Sequence, residues 1–463
     1  MWSTVSQPKH ESMKQKGNPM KQFKQAAMSL LIGGALVLNS VALHAQEAEG
    51  QDQPANRVFL PLAATDTTGR PKNELIPDQY IVVFKEDLVT AASVSSIAAD
   101  MVATAGGEML QVYDEALQGF AARFPAGAGA DAIARLQQDE RVAYIEQDAT
   151  ASTTQDTTVY HKTPFEAEEA KTTEGGRSID TVQYGPVWGL DRNDQRYLPL
   201  NGQYIYFATG SNVRAYIIDT GIRIAHSQFG GRASYGYDAI DGSLPADDCN
   251  GHGTHVAGTV GGSTYGVAKQ VRLVAVRVLG CNGSGSYSGI IAGVNWVTNQ
   301  KRLNPSVPMV ANMSLGGPAS TALDNAVVNS INRGVTYVVA AGNDGSLACN
   351  YSPARTAGTI TVSATDITDT RPTIWANYGG CVDIFAPGVS ITSAWYTSNT
   401  ATANLNGTSM AAPHVAGVVA LYLQRTPSAS PSTVRSTIFG VATAGIVKNP
   451  GTGSFNRMLY NPY

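Results

Sequence analysis

Ala215-Tyr216-Ile217-Ile218-Asp219-Thr220-Gly221 reads as a buried strand that stops at a carboxylate and turns at a glycine. The run extends back to 213, and similar apolar segments recur at 271–279, 307–312, 335–340 and 359–364. Helix-like stretches lie at 321–332 and 409–424. Strands alternating with helices predict an α/β fold, a parallel sheet flanked by helices on both faces. Such sheets bind ligands beyond the carboxyl ends of their strands. Asp219 ends the first strand, and Asn343 follows Val338-Val339-Ala340-Ala341-Gly342 at the end of another. Both are therefore candidate functional residues. Taken singly, a strand cap explains Asp219 equally well, and a turn asparagine explains Asn343 better.

The pattern changes toward the N-terminus. Tyr80-Ile81-Val82-Val83-Phe84 is a strand, and 91–105 is a helix closed by Gly106-Gly107. Strands at 109–113 and 119–124, a helix at 130–138 and a strand at Val142-Ala143-Tyr144-Ile145 follow. The order β-α-β-β-α-β predicts a small ferredoxin-like α+β domain over 76–150. It stands between a proline-bearing linker, 46–75, and an acidic stretch, 151–181, rich in Thr, Glu and Ala and without periodicity. Residues 1–45 combine Lys21 and Lys24, a nine-residue apolar run from Leu30 to Leu38, and Ala45, as a signal peptide does. A helical span needs about 20 residues, so no stable membrane anchor is expected.

Of 463 residues, 15% are charged and 43% hydrophobic, which excludes a disordered chain. A net charge of −4 excludes a general nucleic-acid binder. That total conceals blocks of +4 over 1–45, −10 over 46–150, −3 over 151–181 and +5 over 182–463. The opposed signs suit mutual attraction between the middle and last blocks. The four cysteines, Cys249, Cys281, Cys349 and Cys381, fit an exported chain with disulfides. Four allow three pairings, and the equal spacings within the first and second pairs favour sequential pairing.

His252 lies in Asn250-Gly251-His252-Gly253-Thr254-His255, between small residues that would let a helix approach the sheet closely. A metal site is disfavoured because the Glu of H-E-x-x-H is missing, and His255 reads as structural. Ser409 lies in Asn406-Gly407-Thr408-Ser409-Met410-Ala411-Ala412-Pro413. At a helix start it is either a cap or a nucleophile in the positive field of the helix. The G-x-S-x-G elbow is not met, since Ala411 follows Met410.

Together the four residues are far more specific. The order Asp219…His252…Ser409 is that of subtilisins, unlike chymotrypsin or the α/β-hydrolases. Trp188-Gly189-Leu190-Asp191-Arg192, Asn282-Gly283-Ser284-Gly285, Ala311-Asn312-Met313-Ser314-Leu315-Gly316-Gly317, Asn350-Tyr351-Ser352-Pro353-Ala354 and Asp383-Ile384-Phe385-Ala386-Pro387-Gly388 add to the match. Residues 182–463 thus resemble a subtilisin-family serine protease of the proteinase K and aqualysin branch. Residues 76–150 resemble the inhibitory propeptide of such enzymes.

The resemblance implies a subtilisin-like catalytic domain in a secreted, extracellular endopeptidase made as a zymogen. Ser409 would be the nucleophile, His252 the proton carrier, Asp219 its orienting partner, and Asn343 an oxyanion-hole donor. An extended polypeptide substrate would lie between Gly283, Ser284 and Gly285 on one side and Ser314, Leu315 and Gly316 on the other. Leu315, Ala340, Ala341 and Gly342 would line an uncharged side-chain pocket, giving broad specificity with an apolar or aromatic preference. The resemblance also supports the pairs Cys249–Cys281 and Cys349–Cys381. It implies structural calcium at Asp383 with the carbonyls of Ala357 and Thr359. A second site near Asp191, Asp194 and Gln195 has Asn201 where some relatives carry a carboxylate. The implied partners are polypeptide substrates and the chain's own propeptide, as intramolecular inhibitor and chaperone. No nucleic acid is implied, and the enzyme is expected to be a monomer.

Overall fold

The computed structural model describes residues 74–154, 181–242 and 245–463, together with the backbone of 57–59 and 156–160. The expected signal segment and most of the linkers lie outside the described residues. Alternation along strand β1 (Leu75–Phe84) sends Val82 and Phe84 to one face and Ile81 and Val83 to the other. The first face packs on helices α1 (Val94–Ala105) and α2 (Gly129–Leu136). Helix α1 starts later than its alanine-rich sequence suggests, because Ala91–Ser93 form a 3-10 turn. Gly106, at φ 75°, closes it. Strands β2 (Glu108–Tyr113), β3 (Gly119–Arg123) and β4 (Val142–Thr153) complete an antiparallel sheet in the order β4-β1-β3-β2. This is the expected ferredoxin-like unit.

In the larger domain, β5 (Arg214–Asp219), β6 (Ala233–Asp238), β7 (Arg272–Arg277), β8 (Met309–Met313), β9 (Thr336–Ala340), β10 (Ile360–Thr365) and β11 (Ile384–Pro387) form a parallel sheet. The order is β6-β7-β5-β8-β9-β10-β11, with Arg457–Met458 and Thr443–Ala444 added beyond β11. Ala215 and Ile217 point into one core, with α3 (His252–Gly261) and α6 (Thr408–Arg425). Tyr216 and Ile218 point into the other, with α4 (Tyr287–Leu303) and α5 (Thr321–Asn332). Helix α7 (Pro431–Val441) packs on the first side. Two covered faces explain why the strands read as unbroken apolar runs rather than alternating ones.

Ile81, Val83, Tyr113 and Ala121 of the N-terminal sheet share the α4–α5 core. Both faces of that small sheet are therefore buried, one by its own helices and one by the larger domain. Strand β4 then continues past the small sheet. Residues 151–153, expected to begin a linker, instead pair with Ser284 and Gly285 on one side and with Leu315 and Gly316 on the other.

Candidate active site

Strand β5 is central, so Asp219 stands at the carboxyl edge of the sheet, where the chain turns through Gly221 at φ 109°. Helix α3 sits so close to this turn that a Cβ on Gly253 would come within 2.1 Å of the Gly221 carbonyl oxygen. That close approach brings His252 Nδ1 to 2.7 Å from Asp219 Oδ1, with both side chains fully buried. A carboxylate on Nδ1 fixes the ring tautomer and leaves Nε2 for the cleft.

Asp248, which sequence reasoning missed, braces both sides of this pair. Its Oδ1 accepts from Thr220 Oγ1 at 2.9 Å and from Gly251 N at 2.8 Å. Its Oδ2 accepts from Thr254 N at 2.9 Å and Thr254 Oγ1 at 2.6 Å. Burial raises its pKa against these bonds. An acid just ahead of a glycine-rich helix start is the signal that could have found it. His255 accepts no such role. Its Nε2 faces the carbonyls of Ile391 at 3.0 Å and Ala403 at 3.2 Å. Burial pushes its pKa down to about 3.

Gly407 caps α6, which places the Ser409 N–H in the first turn, at the positive end of the helix. That N–H donates to the Thr154 carbonyl at 3.2 Å. Ser409 Oγ lies 2.5 Å from Thr154 Oγ1 and donates to the Ser314 carbonyl at 3.0 Å. It makes no hydrogen bond to His252, whose Nε2 is buried without a partner. Asn343 Oδ1 accepts from Thr408 N at 3.0 Å and Thr408 Oγ1 at 2.9 Å, while Asn343 Nδ2 is buried and unpaired. A fixed amide with an unused donor is the chemistry an oxyanion needs.

Residues 150–154 fill the groove beside Ser409. Ser152, Ala151 and Thr150 pair antiparallel with Ser284, Gly285 and Ser286, and Thr153 and Ser152 pair with Leu315 and Gly316. Beyond Ser409, Asp156–Tyr160 pairs antiparallel with Thr402–Asn406. The chain thus runs as strand on both sides of the serine. A cavity next to Thr154 is lined by Ala340, Ala341 and Gly342, together with Gly317, Ala354, Tyr351 and Asp344. Two corrections follow. Leu315 is buried in the α4–α5 core rather than lining this pocket. The wall also carries an acid, Asp344, hydrogen-bonded to Tyr351, whose pKa is raised chiefly by burial.

Two acids of β4 meet the N-termini of the larger domain's helices. Glu146 Oε2 accepts from Thr321 N at 2.9 Å and Ala322 N at 3.2 Å, and Ser320 Oγ donates to Oε1. Asp148 Oδ1 accepts from Ser288 N at 3.2 Å. Burial pushes the Glu146 pKa up to about 7, ahead of the lowering effect of its hydrogen bonds, and raises Asp148 likewise. Exposed after separation, Glu146 returns to its ordinary value of 4.5. Association therefore takes up a proton, so it is strongest below pH 4.5 and weakens as pH rises through 7. Dissociation of residues 74–154 from the larger domain, with the two supplied as separate chains, is expected to become more favourable by up to about tenfold per pH unit between those values. Gel filtration of the mixed pieces checks this, and Glu146→Gln is expected to flatten the profile.

Cysteine pairs Cys249–Cys281 and Cys349–Cys381 are both formed. Among the described residues no three His, Cys, Asp or Glu side chains cluster as a metal site. Asp194 nevertheless suits a hard cation, since its Oδ1 is buried without a partner while Oδ2 accepts from Ile205 N at 2.6 Å. Burial, and then Asp191, pushes its pKa up to about 7. The expected group at Asp383 does not fit calcium as it stands. Arg435 Nη2 lies 2.6 Å from Asp383 Oδ1, and Arg435 Nε donates to the Thr359 carbonyl at 3.0 Å. Ala357 is exposed on the preceding turn. Among the described residues, no helix is long and apolar enough to cross a membrane.

The Subtilase family pattern matches residues 210–458, and Peptidase inhibitor I9 matches residues 79–154. An extracellular serine proteinase of Thermus sp. (strain Rt41A) is 47% identical over 95% of this chain and 100% of its own. Alkaline serine exoprotease A of Vibrio alginolyticus is 47% identical over 84% of this chain and 68% of its own. The crystal structure of a cold-adapted subtilisin-like serine proteinase superposes with a TM-score of 0.58 at 50% identity, covering 60% of this chain and 99% of that one. The chain belongs to the subtilase family and is a serine proteinase that carries its own I9 inhibitor domain ahead of its catalytic domain.

Proposed function

We propose that Asp219, His252 and Ser409 form the catalytic triad of a secreted endopeptidase, and that it first cuts its own chain after Thr154. The observation that carries this reading is the Thr154 carbonyl, held 3.2 Å from the Ser409 N–H by a strand paired on both edges of the cleft. Thr154 is also the last residue that the inhibitor family matches. On this reading 74–154 is the propeptide and 1–45 the export signal, and the catalytic domain starts at 155 instead of 182.

Attack begins when Ser409 Oγ rotates from the Ser314 carbonyl to His252 Nε2, which takes its proton. The oxygen adds to the Thr154 carbonyl carbon, and the negative charge is received by the Ser409 N–H and Asn343 Nδ2. Imidazolium formed on His252 is stabilised by Asp219, and it then protonates the departing amine. Water repeats the cycle in reverse and frees the carboxylate. Other polypeptides enter the same way, adding a strand between 283–285 and 314–316. The pocket walls of Ala340, Ala341 and Gly342 favour apolar side chains, with Asp344 and Tyr351 adding polar groups to the lining. Calcium, where bound, would lie at Asp191 and Asp194 and supply stability rather than chemistry.

A fluorophosphonate is expected to label the processed enzyme once, on Ser409, as read by peptide mapping. Labelling at another serine, or an active enzyme that resists the reagent, would exclude this triad.

A further inference from the structure

Arg435 lies in the second turn of α7 and reaches the entry ends of two neighbouring strands. Thr359 directly precedes β10 and Asp383 directly precedes β11. One guanidinium bridges them, with Nε on the Thr359 carbonyl at 3.0 Å and Nη2 on Asp383 Oδ1 at 2.6 Å. Two further acceptors beside it are also used. Asp383 Oδ2 accepts from Thr361 N at 3.0 Å, and the Asp383 carbonyl accepts from Arg457 Nη1 at 3.4 Å. Phe439, one turn further along α7, holds both guanidinia against its ring, 4.7 Å from Arg435 and 4.9 Å from Arg457.

Calcium requires about six to eight oxygen ligands at close range. This corner offers one carboxylate, already shared between a guanidinium and a backbone N–H, and a carbonyl that already accepts. Two fixed positive charges stand beside that single negative one, which disfavours a further divalent cation. A planar guanidinium, by contrast, satisfies a carboxylate and a carbonyl at once. We propose that Arg435 is a tethered cation standing where a calcium ion would otherwise join Asp383 to Thr359, so that these two residues bind no calcium in this chain. The link then holds at any calcium concentration. It also supports the substrate pocket, because Thr361 Oγ1 donates to the carbonyl of Ala354, a pocket residue, at 2.9 Å.

The test uses the full-length chain carrying Ser409→Ala, which prevents self-digestion, and calcium alone as the probe. Equilibrium dialysis of the metal-stripped protein counts bound ions with and without Asp383→Asn. Thermal unfolding in EDTA is followed with and without Arg435→Ala. The same number of calcium ions is expected with Asp383 or Asn at 383. Arg435→Ala is expected to lower the midpoint in EDTA by about 2–4 °C. Loss of one bound calcium in Asp383→Asn would overturn the proposal, and so would a midpoint in EDTA that Arg435→Ala leaves unchanged. The ion count decides the matter even if Arg435→Ala fails to fold.

Discussion

Ser409→Ala is expected to leave a folded, uncut precursor whose peptide hydrolysis is lower by about 10⁶ in turnover, a magnitude taken from subtilisin rather than from this geometry. Ser409 is buried and its Oγ hydrogen-bonds only to Ser314 and Thr154 among the described residues, so replacing it leaves few polar groups unpaired. The fold should therefore survive. What disappears is the atom that would bond to the carbonyl carbon. Residual hydrolysis should persist, since Asn343 and the backbone N–H at 409 still polarise a bound carbonyl. Gel electrophoresis of the expressed chain and single-turnover assays read the two effects. A mutant that still processes itself would show that another nucleophile does the work.

Asn343→Ala is expected to cut turnover by about 10²–10³ with little change in KM, the size known for the equivalent asparagine in this same family. The argument is local. Asn343 Oδ1 is fixed by two donors of Thr408, which leaves Nδ2 buried with no ground-state partner. A donor without a ground-state partner contributes when charge develops on the substrate oxygen, so its loss should fall on kcat. Steady-state kinetics on a peptide substrate separate the two constants. A rise in KM with unchanged kcat would instead make Asn343 a binding residue.

Much of this was legible in the sequence, for physical reasons that differ by element. The strands at 213–218 and 335–340 showed themselves because both faces of a parallel sheet are apolar. Helix α4 did not, because Gly289 and Gly293 weaken its helical signal. Packing explains Gly293, since a Cβ there would lie 2.6 Å from Val278 Cγ1. Asp219, His252 and Ser409 were found through their order and surroundings, which need no coordinates. Thr154 was not, since a threonine in an acidic, aperiodic stretch carries no mark of lying against a serine 255 residues away. Arg435 likewise looked like one more basic residue on a helix. Its meaning depends on Asp383, 52 residues earlier in the chain, and no spacing rule connects them.

The geometry at Thr154 makes one demand that can be checked directly. Terminal sequencing of the chain after its first self-cleavage, with later trimming blocked by rapid quenching, identifies the bond held against Ser409. Gln155 is predicted as the first residue of the released catalytic domain. A first residue near 182, with the bond after Thr154 intact, would contradict it.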